Sequence, residues 1–161
     1  MEAMKTIIVY YSLEGSTRKV AERLSEELNA DLLELVPVKP IKNNGSKFMA
    51  GGGQVMFKKC PKLREYNFNV ADYDRVILGT PIWAGCFTPA IRTFLKENEL
   101  QYKVSAVFTL SGSGKSEGCL KKLKKFCPSI LNDANLLDTN NPKNAELNER
   151  RIKNFISRVA Y

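Results

Sequence analysis

Three short stretches of this chain place small hydroxyl residues and glycine where a ligand can be held by backbone rather than by charge. The first is Ser12, Leu13, Glu14, Gly15, Ser16 and Thr17. It follows a β-branched and aromatic run and opens a segment of helical periodicity. Glycine allows a tight turn and a close approach of backbone. The first N–H groups of a helix have no intrahelical acceptor, and the helix dipole places partial positive charge there. A phosphate fits such a terminus without any cationic side chain aimed at it. A plain helix N-cap by Ser16 or Thr17 is the competing reading, although one hydroxyl is enough for that. The second stretch is Thr80, Pro81, Ile82, Trp83, Ala84 and Gly85, which holds the only tryptophan of the chain. A tryptophan in a loop can offer its flat face to a ring, or can merely cover the core. The third is Ser111, Gly112, Ser113, Gly114, Lys115, Ser116, Glu117 and Gly118. Its exposed backbone groups are able to read the polar edge of a heterocycle, or it is a helix lead-in capped by Ser116.

Other chemistries are excluded or weakened by what the chain lacks. There is no histidine among 161 residues, so no mechanism that needs an imidazole base operates here. Cys60, Cys86, Cys119 and Cys127 form no Cys-x-x-Cys pair, which argues against a zinc site of the usual kind. Cys86 reads as a small buried thiol more readily than as a redox partner of a cofactor. A dinucleotide fingerprint would need two further glycines around Gly15. Gly114, Lys115 and Ser116 end like a nucleotide-triphosphate loop, but Thr109 stands where its first glycine belongs. The net charge is +8, and Lys121, Lys122, Lys124 and Lys125 alternate with Leu120, Leu123 and Phe126 at helical spacing. That run reads first as a solvated helix face. No nucleic-acid motif accompanies it, and no apolar run approaches the ~20 residues of a membrane-spanning helix. The expectation is a cytoplasmic protein with no nucleic-acid or membrane partner, a monomer or homodimer.

The elements that must position these stretches follow from periodicity. Residues 5–11, 30–36, 74–79, 104–110 and, more weakly, 130–137 read as strands. Residues 17–28, 89–96, 117–126 and 145–159 read as helices, the second with Pro89 in its first turn. This alternation predicts an α/β fold, a doubly wound five-stranded parallel sheet with helices on both faces, in one domain over 1–161. The long stretch 37–68 after the second strand is an insertion, with part of it a short helix or all of it surface loop. In open parallel sheets ligands bind at the carboxyl ends of the strands. All three stretches lie there.

Taken together, the three stretches resemble a flavodoxin of the flavodoxin-like FMN-binding superfamily, over 11–24, 76–95 and 108–118. The resemblance implies an FMN cofactor. Ser12, Glu14, Gly15, Ser16 and Thr17 are similar to the phosphate loop. Thr80, Pro81, Ile82, Trp83, Ala84 and Gly85 are similar to the loop that packs on the isoalloxazine, with Trp83 against the ring and Ala84-Gly85 near flavin N5. Ser111, Gly112, Ser113, Gly114, Lys115 and Gly118 are similar to the third loop, near the pyrimidine edge. Two departures stand out. The third loop has no aromatic residue to stack on the outer flavin face, and 42–57, with Phe48, Met49 and Phe57, is the candidate cover. The chain is basic where typical flavodoxins are acidic, so a fully reduced, anionic flavin is expected to be easier to reach. The implied function is electron transport between redox partner proteins, or a small-molecule electron donor and acceptor. The alternatives are an NAD(P)H-dependent FMN or quinone oxidoreductase of the same fold, and a flavin-free binding module that uses the basic helix.

Overall fold

The computed structural model describes residues 3–39, 60–100 and 102–160. The candidate cover at 42–57 falls outside them. The described elements are β1 (Thr6–Tyr10), α1 (Ser16–Leu28), β2 (Asp31–Glu34), β3 (Arg75–Trp83), β4 (Cys86–Phe87), α2 (Pro89–Glu97), β5 (Val104–Ser111), α3 (Glu117–Phe126), β6 (Asn132–Leu137) and α4 (Ala145–Val159). Short 3-10 turns occupy Val70–Asp72 and Pro142–Asn144. Five strands are parallel in the order β2-β1-β3-β5-β6, as the alternation of the sequence predicts.

Every residue of β1 is buried, because helices cover both faces of the sheet. Strand side chains alternate between faces. Ile7 and Val9 therefore join one core cluster, with Phe87, Ile91, Phe94 and Leu123 from the β4–α2 and α3 side. Ile8 and Tyr10 join the other, with Val20 and Leu24 of α1 and Ile152 and Phe155 of α4. The 3.6-residue period of these helices and the period of two in the strands thus meet in two separate cores. At the centre, Gly79 of β3 sits opposite Phe108 of β5. A Cβ on Gly79 would lie 2.2 Å from the Phe108 ring, so glycine is what lets that ring lie across the strand.

Two boundaries differ from the sequence reading. The third strand does not stop at Gly79. It continues through Thr80, Pro81, Ile82 and Trp83 and folds back as a hairpin, pairing Ile82 with Phe87 and Trp83 with Cys86. The stretch read as a loop is mostly strand, with only Ala84 and Gly85 as its turn. In the 37–68 insertion the described ends are tied to each other. Val38 N–H donates to Lys62 O at 2.8 Å and Arg64 N–H to Val36 O at 2.7 Å, around a Pro37–Leu63 bridge. No helix occurs among its described residues.

The outer edge of β6 is closed by side chains of α4. Asn148 is 5% exposed. It donates to Leu137 O at 2.8 Å and accepts from Leu137 N–H at 2.9 Å. Arg151 donates to Asn135 O at 2.7 Å, and Arg158 to Asp133 O at 2.8 Å. Three successive outward carbonyls of the strand are thereby satisfied without another strand.

Candidate functional site

The carboxyl ends of β1, β3 and β5 converge on an open cleft of about 240 Å³. Its walls come from all three predicted stretches. From the first come Ser12, Glu14, Ser16 and Thr17, from the second Pro81, Ile82 and Trp83, and from the third Ser111 and Gly112. Leu13, Leu110 and Asp138 complete it.

The first stretch leaves backbone donors open where the chain enters α1. Gly15 has φ +94°, a left-handed conformation that brings the chain sharply into α1. Ser12 Oγ accepts from Gly15 N–H at 3.1 Å and from Arg18 N–H at 3.3 Å, which fixes the turn. Lys19 N–H reaches back to Gly15 O at 3.0 Å. The N–H groups of Ser16 and Thr17 have no acceptor among the described residues, and α1 has no side-chain cap on its N-cap residue. The simple N-cap reading therefore fails: neither Ser16 nor Thr17 caps the helix. Thr17 is buried at the cleft floor, and Ser16 Oγ lies 3.3 Å from Asp138 Oδ1.

Among the described residues no cation is aimed at these donors. Arg18 is turned to Glu34 by bonds of 3.1 and 2.5 Å, and that carboxylate raises the guanidinium pKa. Lys19 Nζ donates to Asn140 Oδ1 at 3.3 Å. Lys115 is exposed and is not part of the cleft wall. An anion here would be held by neutral dipoles, with the Asp138 carboxylate at the rim. Asp138 also accepts from Asn140 N–H at 2.9 Å, so the loop after β6 is strapped to the start of α1.

Trp83 ends β3 and packs edge-on against Tyr11, with ring centroids 5.7 Å apart and planes at 90°. The tyrosine holds the indole upright beside the cleft. Burial pushes the Tyr11 phenol up to about 12, so it stays neutral near pH 7. After Trp83 the chain turns through Ala84 (φ 48°) and Gly85 (φ 73°). Two successive left-handed residues match the twist of a two-residue hairpin. At Ala84 the conformation costs on the order of 1 kcal/mol, because a Cβ is present.

Several predicted residues are near the cleft without forming its wall. Thr80 is fully buried below it. Its hydroxyl donates to Pro81 O at 2.8 Å, accepts from Thr88 N–H at 3.1 Å and pairs with Thr88 Oγ1 at 3.2 Å. It locks the two hairpin arms together rather than facing a ligand. Ser113, Gly114, Lys115 and Gly118 also stand off the wall. Gly114 (φ +75°) is bonded through its carbonyl to Asn135, and its N–H donates to Ser111 Oγ at 3.0 Å. A Cβ on Gly118 would lie 3.5 Å from Gly85 O, so α3 begins against the hairpin turn. Cys86 and Cys119 are buried in the adjacent core, and burial pushes the Cys119 thiol up to about 12. Among the described residues the carboxylates on the wall are Glu14 and Asp138, beside the open N–H groups of α1 and the Trp83 indole. Among the described residues no cluster of His, Cys, Asp or Glu could hold a metal ion. No described helix is long and apolar enough to cross a membrane.

Two cleft-wall residues lie outside the three predicted stretches, Leu110 and Asp138, and Asp138 is the polar one that sequence reasoning missed. It follows the weakest predicted strand, yet it lies at a carboxyl end like the others, and that position was the available signal.

The family model described as Flavodoxin matches residues 5–157. Among solved structures, a flavoprotein from Bacteroides eggerthii is 24% identical, covering 98% of this chain and 99% of its own, with a TM-score of 0.77. A flavoprotein in complex with FMN from Lactobacillus acidophilus is 23% identical over 86% of this chain and 95% of its own, TM-score 0.68. The rubredoxin oxygen:oxidoreductase of Desulfovibrio gigas is 18% identical, covering 96% of this chain and 35% of its own, TM-score 0.56. These three likenesses speak to the fold alone.

Proposed function

The chain belongs to the flavodoxin family, and from that premise we propose that it holds one FMN in the cleft and carries electrons between redox partners. The reading rests on one observation. The acceptor-free N–H groups of Ser16 and Thr17 and the indole of Trp83 face a single cleft, which matches a phosphate joined by a short linker to a flat ring. FMN, once bound, supplies the redox chemistry. The chain binds the phosphate through the 12–17 loop, sets Trp83 upright with Tyr11, and offers the hairpin turn at Ala84-Gly85 to one edge of the ring.

A carrier is favoured over a reductase by what the wall contains. It has no imidazole, and of its two described carboxylates, Glu14 and Asp138, the second lies beside Ser16 at the helix end of the cleft, away from Trp83's loop in the sequence. Electron transfer through a cofactor needs no acid or base from the protein, whereas turnover of a quinone is helped by one. The cleft volume, at about 240 Å³, is below the ~300–1,000 Å³ usual for enclosing sites. The described walls therefore cradle a ring along one side and leave an edge accessible to partners.

The test is a titration of purified protein with FMN and with riboflavin, which lacks the phosphate, followed by visible spectra and NADH or NADPH oxidation with a quinone. One FMN per chain, clear preference over riboflavin, and negligible turnover are expected. Failure to take up FMN would sink the reading as a whole. Steady NAD(P)H oxidation at enzyme-like rates would replace the carrier with a reductase.

A further inference from the structure

Charge on this molecule is sorted by face. On the side covered by α1 and α4, Lys19, Arg151 and Arg158 are held by neutral acceptors and Arg150 is exposed, while three basic residues have acidic partners: Arg18 pairs with Glu34, Arg23 with Glu149, and Lys153 with Glu149 at 3.7 Å. The lysines of α3 do not. Lys121, Lys122, Lys124 and Lys125 are all exposed, while Cys119 and Leu123 turn inward. None of the four has a carboxylate within ion-pair distance among the described residues. They are spaced three and four apart, so each stands beside a like charge on the same helix face, which disfavours the helix. A face kept merely soluble would do better with interleaved acid, as α1 has.

The position of this face matters as much as its sign. α3 starts against the hairpin turn, and Lys122 Nζ lies 3.5 Å from Gly85 O. The stripe therefore begins at the rim of the cofactor cleft and runs away from it at about 1.5 Å per residue. At its far end Lys125 shares a groove with Lys96 of α2. The carboxylates in reach are Glu117 in the first turn of α3 and Glu99 in that groove, with Glu97 nearby bonded to the Tyr66 hydroxyl at 2.6 Å. The balance along α3 remains positive.

We propose that the basic face of α3 is the docking surface for an acidic redox protein, which it orients with its own redox centre beside the Ala84-Gly85 turn. This rests on the FMN-carrier reading for its purpose, though not for its contact. Complementary charge raises encounter rates and selects partners more than it adds final affinity. A membrane or a nucleic acid would meet the same lysines, but neither gains from having them at the edge of a redox cofactor. Electron transfer falls off with distance and does gain.

The probe is a small acidic two-iron ferredoxin. Its binding in the oxidised state is followed by fluorescence anisotropy, and its electron transfer to the FMN-loaded protein by stopped flow, both at low and high ionic strength. The variant Lys121→Glu/Lys125→Glu is compared with Arg150→Glu/Lys153→Glu on α4, which changes net charge by the same amount. The α3 variant is expected to weaken binding and slow transfer at least tenfold at low salt, the α4 variant less than twofold, with the difference shrinking as salt rises. Equal losses in the two variants, or no loss in either, would overturn the proposal by reducing it to net charge. It would also be overturned if the α3 variant kept ferredoxin binding but lost binding to vesicles of phosphatidylserine and phosphatidylcholine. If FMN is not taken up while the α3 variant alone loses ferredoxin, the docking face stands and the carrier reading fails.

Discussion

The first and third carboxyl-end loops are written in nearly the same residues, serine and glycine ahead of a helix that has no side-chain cap, yet only the first sets the start of its helix on the cleft wall. In the first, Ser12 takes over the turn by accepting two N–H bonds, and the N–H groups of Ser16 and Thr17 stay open to the cleft. In the third, the hydroxyls are used by the loop itself. Ser111 accepts from Gly114 N–H at 3.0 Å, Ser113 accepts from Lys115 N–H at 3.3 Å, and Gly114 O is held by Asn135. Two loops alike in composition therefore divide the work. One leaves donors open to the cleft. The other is a braced wall that meets it through Ser111 and Gly112. Composition marks where a ligand can bind, and the hydrogen bonds decide which loop has donors left to offer.

The contrast breaks most sharply at Gly15. With φ +94° and open space around it, Gly15→Val is opposed by backbone conformation rather than by a clash. FMN affinity is expected to fall at least tenfold, about 1.4 kcal/mol, with riboflavin affinity much less affected. Parallel fluorescence titrations measure this, and an unchanged FMN-to-riboflavin ratio would count against a phosphate cradle at this loop. Gly114→Ala is the mirror experiment. Its Cβ would come 3.2 Å from Leu137 Cδ2 at φ +75°. Stability should drop by about 1–2 kcal/mol, a few degrees in Tm, while the ligand ratio holds; a large change in that ratio would erase the division of labour.

Two smaller effects sharpen the comparison. Asp138→Asn removes the carboxylate beside Ser16, and FMN should bind about threefold tighter at low salt, with riboflavin unchanged. Equal weakening of both ligands would instead make Asp138 an acceptor for the linker hydroxyls. Ser113→Ala should do least, within about 0.5 kcal/mol by thermal unfolding and with no measurable change in FMN binding, because its one bond lies in an exposed part of the loop.

The order of strands and helices was legible because each carries an unbroken period. Ile7 and Val9 against Ile8 and Tyr10, or Val20 and Leu24 along α1, say which way each element faces. The hairpin was not legible. Gly79 reads as a strand end and Pro81 as a breaker, but Gly79 is there for the Phe108 ring, and β3 accommodates Pro81 while pairing it with Leu110. Thr80 misled for a related reason. A hydroxyl near a ligand loop suggests contact, and only the fold reveals that Thr88, eight residues on, takes it up. The turn at 12–17 and its open helix start could be read from residue types. Asp138 could not be read from local pattern, since it arrives beside Ser16 through the packing of β6.

The seal that α4 makes along β6 bears on self-association. Asn148, Arg151 and Arg158 all come from that one helix. Without it the carbonyls of Asp133, Asn135 and Leu137 would be a bare template for any passing strand, including that of another copy. α4 thus works as a guard rail for the sheet, and a chain cut ahead of it would keep the cleft-lining loops while carrying an unprotected, aggregation-prone border.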